Sequence, residues 1–119
     1  MPRIKLTQQQ MELIALLPKA IRKSKDFTNA QKLVLAQIDL QDGTDFSAEN
    51  HYVFSSNERL MEKTGINSKH TVIDAVKKLV NEGLIETRRG YRRKGENMAS
   101  QYVLTDKYYE LQGRENPHA

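Results

Sequence analysis

The stretch Ser55-Ser56-Asn57-Glu58-Arg59-Leu60-Met61-Glu62-Lys63-Thr64-Gly65-Ile66-Asn67-Ser68-Lys69-His70-Thr71-Val72 decides how the rest of this 119-residue chain is read. Ser55 and Glu58 have the Ser-x-x-Glu spacing of a capping box, so the pattern predicts a helix starting at Ser55 with its first amides satisfied. Leu60 and Met61 are its expected buried residues. Gly65 can take the positive φ that ends the helix. Ile66 is expected to fill the gap before a second helix, which Asn67 or Ser68 caps. That second helix is predicted over Ser68 to Glu82. Val72, Val76, Leu79 and Val80 mark its buried face at i, i+4, i+7 and i+8. Lys69, His70, Asp74, Lys77 and Lys78 mark the opposite face. Gly83 falls just past the last turn, where helix-ending glycines concentrate.

Beyond Gly83 the pattern changes period. Leu84 to Arg89 and Gln101 to Leu104 read as strands, and the glycine-bearing segment between them reads as a hairpin loop. Five of the seven residues from Arg88 to Lys94 are basic. Helix, glycine turn, helix, Gly-Leu-Ile and a basic hairpin occur in the order of a winged helix-turn-helix. The expected fold class is therefore mainly α with a small β-sheet (α+β), with an extra N-terminal helix.

The run "YVFSSNERLMEKTGINSKHTVIDAVKKLVNEGLIETRR" resembles the winged-helix domain of phage and plasmid replication initiators, and is similar to related bacterial transcription regulators. The preceding "LPKAIRKSKDFTNAQKLVLAQI" resembles the upstream helix of the same domains, so the likeness covers roughly Leu17 to Thr105. The resemblance implies binding of double-stranded DNA at an origin or operator, often as a dimer; a bacterial cytoplasmic setting, for a phage- or plasmid-encoded chain, is the expected location. Plasmid or phage replication initiation is the first expectation. A transcriptional repressor or regulator of the same fold is the alternative, and a winged helix used only for protein contacts is another. Ile73 stands where many of the regulators carry a basic side chain.

The candidate contacts follow from groove geometry. A helix entering the major groove amino end first brings Ser68, Lys69, His70 and Thr71 nearest the base edges, with Asp74 and Lys78 further along. His70 reads as a base or phosphate contact, or as a cap of the first turn. Ser56 and Asn57, at the start of the preceding helix, are placed to hold a phosphate on free amides. In the wing, Arg89, Arg92, Arg93 and Lys94 are expected on the flanking backbone or minor groove. Tyr91 either stacks on sugar or faces solvent.

Charge distribution points the same way. Residues 1–25 carry six basic and one acidic side chain, residues 26–54 one basic and five acidic, and residues 66–94 eight basic and three acidic. A basic segment over the second helix and the wing is the electrostatic footprint of a nucleic-acid binder. The chain has no cysteine, which excludes disulfides, thiolate metal sites and cysteine nucleophiles. Its three histidines have no metal spacing. Placing Gly43 at the glycine of a calcium loop puts Ile38 at the first ligand position, so Asp39, Asp42, Asp45 and Glu49 read as a solvated acidic loop. No catalytic constellation, cofactor motif or small-molecule site is evident, so no enzyme activity is expected. No apolar run is long enough for a membrane span.

The expected organisation is a basic helical segment over 1–27, the DNA-binding domain over 28–105, and a short helix with a tail over 106–119. In the first segment Thr7 is expected to cap a helix from Gln8 to Leu17, with Met11, Ile14 and Leu17 on one face. The helix then kinks at Pro18 or restarts there. Ala20 and Ile21 are expected to face the core. The segment reads either as a packing helix or as an arm for a homodimer and further phosphate contacts. Thr28 is expected to cap a buried central helix from Asn29 to about Leu40, ended by Gly43. Its apolar residues are Leu33, Val34, Leu35, Ala36, Ile38 and Leu40. His51 to Phe54 reads as a strand able to pair with the wing, and Asp106 to Leu111 as a short helix. Tyr102, Tyr108 and Tyr109 read as core or interface.

Overall fold

A computed structural model of the chain describes residues 6–44, 53–88, 100–113 and 115. The architecture is mainly helical with a small antiparallel sheet. The elements are α1 (Gln8–Ile14), α2 (Lys19–Arg22), α3 (Asn29–Thr44), β1 (Val53–Ser55), α4 (Asn57–Thr64), α5 (Lys69–Asn81), β2 (Ile85–Arg88), β3 (Ser100–Leu104) and α6 (Asp106–Gln112).

Thr7 caps α1 through a full capping box: its hydroxyl accepts from the Gln10 amide at 3.1 Å while Gln10 Oε1 accepts from the Thr7 amide at 2.9 Å. The helix is regular to Ile14, three residues short of the expected end; Ala15 keeps helical angles, the Leu16 and Leu17 amides donate to Leu13 and Ile14 in tighter turns, and Pro18 follows. Of the expected face, Leu17 is buried and Ile14 packs against the core, but Met11 is 48% exposed and Leu13 is buried instead. Pro18 serves as the N-cap of α2, whose Ile21 is buried and whose Ala20 is exposed. The expected core role of Ala20 is thus corrected.

Thr28 and Gln31 form a second capping box at the start of α3. This helix is the centre of the molecule and packs against α1, α4, α5 and the sheet. Leu33, Val34, Leu35, Ala36 and Ile38 are buried in the core, but Leu40 is exposed. The helix runs through Gly43 to Thr44 rather than ending near Leu40. Its extension has a visible tertiary reason. Asp39 accepts from the Tyr108 hydroxyl at 2.6 Å and Asp42 from the Tyr109 hydroxyl at 2.5 Å, so α6 holds this end of α3. Asp39 and Asp42 therefore do not belong to a solvated loop; Asp45 and Glu49 lie outside the described residues. Tyr108 and Tyr109 are core residues packed edge to face. Lys32, another buried polar residue of α3, donates to the Arg22 carbonyl at 2.8 Å and ties α2 to it.

The sheet order is β1-β3-β2, with both pairings antiparallel. β3 is the central strand: Tyr102 stands opposite Val53 on one side and Thr87 on the other. Tyr102 and Leu104, two apart on the pleat, are both buried, as strand alternation requires. Of the expected strand His51–Phe54, Val53 and Phe54 lie in β1, which reaches Ser55 and pairs with β3; His51 and Tyr52 lie outside the described residues. Ser55 pairs with Ser100 and is therefore a strand residue. It cannot also begin a helix, so the expected Ser55–Glu58 capping box does not form. The cap moves one residue on, to Ser56, whose Oγ accepts from the Arg59 amide at 3.0 Å.

Candidate nucleic-acid interface

α4 and α5 are joined by the link 65–68. Gly65 ends α4 in the left-handed region at φ 76°, and its amide donates to Met61. An ordinary side chain would be strained there and would also meet Gln10 Nε2 at 2.9 Å. That same Gln10 nitrogen donates to the Thr64 carbonyl at 2.9 Å, so α1 satisfies the end of α4. Ile66 is half-buried against the core, as its position between the helices suggested. Ser68 caps α5, its Oγ accepting from the Thr71 amide at 3.3 Å.

One face of α5 is held in the core by Val72, Ala75 and Leu79. Ala75 replaces the expected Val80, which is 37% exposed. The residues one turn apart on the other side, His70, Asp74 and Lys77, are all exposed. Lys77, read above as part of the exposed face but not as a contact, belongs to the same row; helical spacing from His70 and Asp74 is the signal that identifies it. Ser68 and Lys69 are exposed at the amino end, with Thr71 half-buried beside them. No acidic residue occupies the first turn, so the end of α5 that carries Lys69 is also the positive end of the helix dipole.

Other expected contacts are differently placed. Lys78 is half-buried, donates to Glu82 at 2.9 Å and lies 5.6 Å from the centre of the Phe27 ring. It belongs to the flank of α5 rather than to the row of His70. Ser56 and Asn57 are half-buried, and the Ser56 hydroxyl is engaged as a cap. Glu58, which follows them, is exposed and forms an ion pair with Lys69 at 3.5 Å. A backbone hydrogen bond at Glu58 and then the Lys69 charge hold this carboxyl below the usual glutamate range. The start of α4 thus already carries an anion. Arg89, Tyr91, Arg92, Arg93 and Lys94 lie outside the described residues.

The far end of α5 is closed by two carbonyl-directed bonds. The Gly83 and Leu84 amides donate back to Val80 and Leu79, the pairing that ends a helix at a left-handed glycine. Thr105, the cap of α6, donates to the Gly83 carbonyl at 2.6 Å, and Lys107 donates to the Glu82 carbonyl at 2.7 Å. Glu82 is held below the usual glutamate range by its hydrogen bond from Lys78 and by that lysine's charge. These contacts fix the angle at which α5 passes into β2. The arrangement presents an exposed helix start bearing a cation and an imidazole, on a helix whose other end passes into β2.

Among the described residues no three His, Asp or Glu side chains converge to hold a metal ion, and no helix is long and apolar enough to cross a membrane. Comparison with family models, with curated proteins and with solved structures found no match.

Proposed function

We propose that this chain is a winged helix-turn-helix that binds double-stranded DNA, with α4 and α5 as the helix pair and the β2–β3 hairpin as the wing. The observation that carries the reading is the exposed amino end of α5, with Lys69 and His70 on a helix whose opposite face is locked into the core. A groove-reading helix needs both properties: exposed side chains able to reach base edges, Lys69 by exchanging its surface ion pair with Glu58, and a backbone held in register. The basic residues of the hairpin supply phosphate contacts that position the domain without reading sequence. The setting we propose is replication initiation on phage or plasmid DNA, in line with the sequence resemblance.

The test is a comparison of duplex and single-stranded DNA at equal salt, followed by selection from a random duplex library. The expected outcome is a duplex preference and a defined motif, occurring in repeats if the chain serves an origin. Preference for the single strand would remove the groove-docking model.

A further inference from the structure

Asp74 is the one acidic side chain on α5. At about 100° per residue, His70, Asp74, Lys77 and Asn81 fall within an arc of about 60°, opposite the buried Val72, Ala75 and Leu79, and all four are exposed. Lys77 and Lys78 follow Asp74 at i+3 and i+4, the spacing at which helical ion pairs form. Neither pairs with it. Lys78 bonds to Glu82 and lies over the Phe27 ring, and Lys77 forms no ion pair among the described residues. Asp74 therefore stands in the exposed row bonded to no other described side chain, with a histidine one turn before it and a lysine one turn after.

On a helix docked against DNA, a carboxylate is repelled by the phosphates, and a neutral side chain in its place would bind any duplex more tightly. What the carboxylate can do there is accept a hydrogen bond. In the major groove guanine offers two acceptors, thymine an acceptor and a methyl group, and adenine an amino group beside its N7 acceptor. Cytosine offers its N4 amino group with no acceptor of its own beside it. An aspartate is thus matched to cytosine and set against the other three bases. Asp74 lies five residues beyond Lys69, about 7.5 Å along the helix axis or about two base pairs, so it meets a base pair that the helix start does not.

We propose that Asp74 is a specificity-determining residue that selects a cytosine, accepting a hydrogen bond from its N4 amino group in the major groove. The inference rests on the reading of α5 as a helix docked in that groove.

The experiment uses the full chain as wild type, Asp74→Asn and Asp74→Ala. Asp74 is exposed, so both variants should stay folded, with circular dichroism matching the wild type. Each protein selects from a random duplex library. Affinities are then measured at equal salt on the wild-type site, on that site with its cytosines changed one at a time, and on random duplex. The wild type is expected to require one cytosine, whose replacement costs about tenfold. With asparagine the same position should change to adenine, whose N6 and N7 suit an amide, while the other positions stay as they were. With alanine that position should lose its preference, and random duplex should bind more tightly because a repelling charge is gone. The proposal is overturned if all three proteins select the same motif. It is overturned equally if both variants gain affinity for every duplex by one factor, the behaviour of a carboxylate that only faces solvent. Failure of the underlying reading looks different: the wild type then binds no duplex, or binds with no preferred sequence, and the cytosine assignment falls with it.

Discussion

Gly65 and Gly83 have nearly the same backbone, at φ 76° and 74°, yet they tolerate change differently. An alanine at either is strained by about 1–2 kcal/mol in the left-handed region. At Gly83 the new carbon meets only the side chain of Lys107, at the ordinary distance of 3.7 Å. At Gly65 it meets Gln10 Nε2 at 2.9 Å and displaces the donor that satisfies Thr64. Gly65→Ala should therefore be the more destabilising, by about a further 0.5–1.5 kcal/mol for the lost hydrogen bond. Urea denaturation of the two variants side by side checks the order. Glu82 provides a residue-scale test by pH. Its folded-state carboxyl is held low by Lys78, so it favours the folded state above the ordinary glutamate pKa. That contribution fades as pH falls through the ordinary value towards the folded one. Glu82→Gln should lower stability at neutral pH, leave it unchanged at the acid end, and so flatten the acid limb of a urea-midpoint profile.

At the scale of elements, α5 and the hairpin should separate experimentally. Lys69 and His70 sit on a rigid helix start, so under the proposed function alanine there should cost about 1–3 kcal/mol on the preferred site and little on random DNA. Arg92, Arg93 and Lys94 lie in a glycine-flanked run, suited to following a backbone. Replacing the three by alanine should weaken all sequences alike and reduce the log–log salt slope by roughly 2–3. A salt titration of each variant on specific and random duplexes decides it; a full slope in the hairpin variant would show that these cations do not touch phosphate. The elements also show where sequence is informative. Thr7 and Thr28 are legible as caps, and Ser68 as one of two candidates beside Asn67, because each acts within three residues of itself. Ser55 and Ser56 are not distinguishable locally, because the choice is made by Ser100 on a distant strand. The exposed row of α5 follows from helical period, but the pairing of Lys69 with Glu58 crosses between helices and leaves no mark in either one.

For the molecule as a whole, Leu13, Leu17 and Ile21 of the N-terminal segment are part of the core. Leu17 and Ile21, two of the apolar residues that suggested a dimer arm, are each 3% exposed in a single chain. Leu17→Ala or Ile21→Ala should each destabilise by about 2–5 kcal/mol. The unfolding midpoint should be independent of protein concentration; a midpoint that rises with concentration would instead assign these residues to a subunit interface. In the sequence the tyrosines read as core or interface, with no sign of their partners. The bonds from Tyr108 and Tyr109 to Asp39 and Asp42 span 69 and 67 residues, beyond any local pattern. The same distance explains why α3 is longer than its apolar run and why the carboxylates read as a loop.

The strand order β1-β3-β2 has a consequence for synthesis. On the ribosome β1 and β2 emerge first, yet each finds its neighbour only in β3, and α3 meets Tyr108 and Tyr109 later still. The nascent chain therefore has no sheet to nucleate on until residues 100–104 have been made. Folding is expected to be a single late event rather than a stepwise one. Chains stalled before residue 100 should remain sensitive to protease and become resistant together once α6 is released. Early resistance of the 6–88 portion would show that the helices hold together without the sheet.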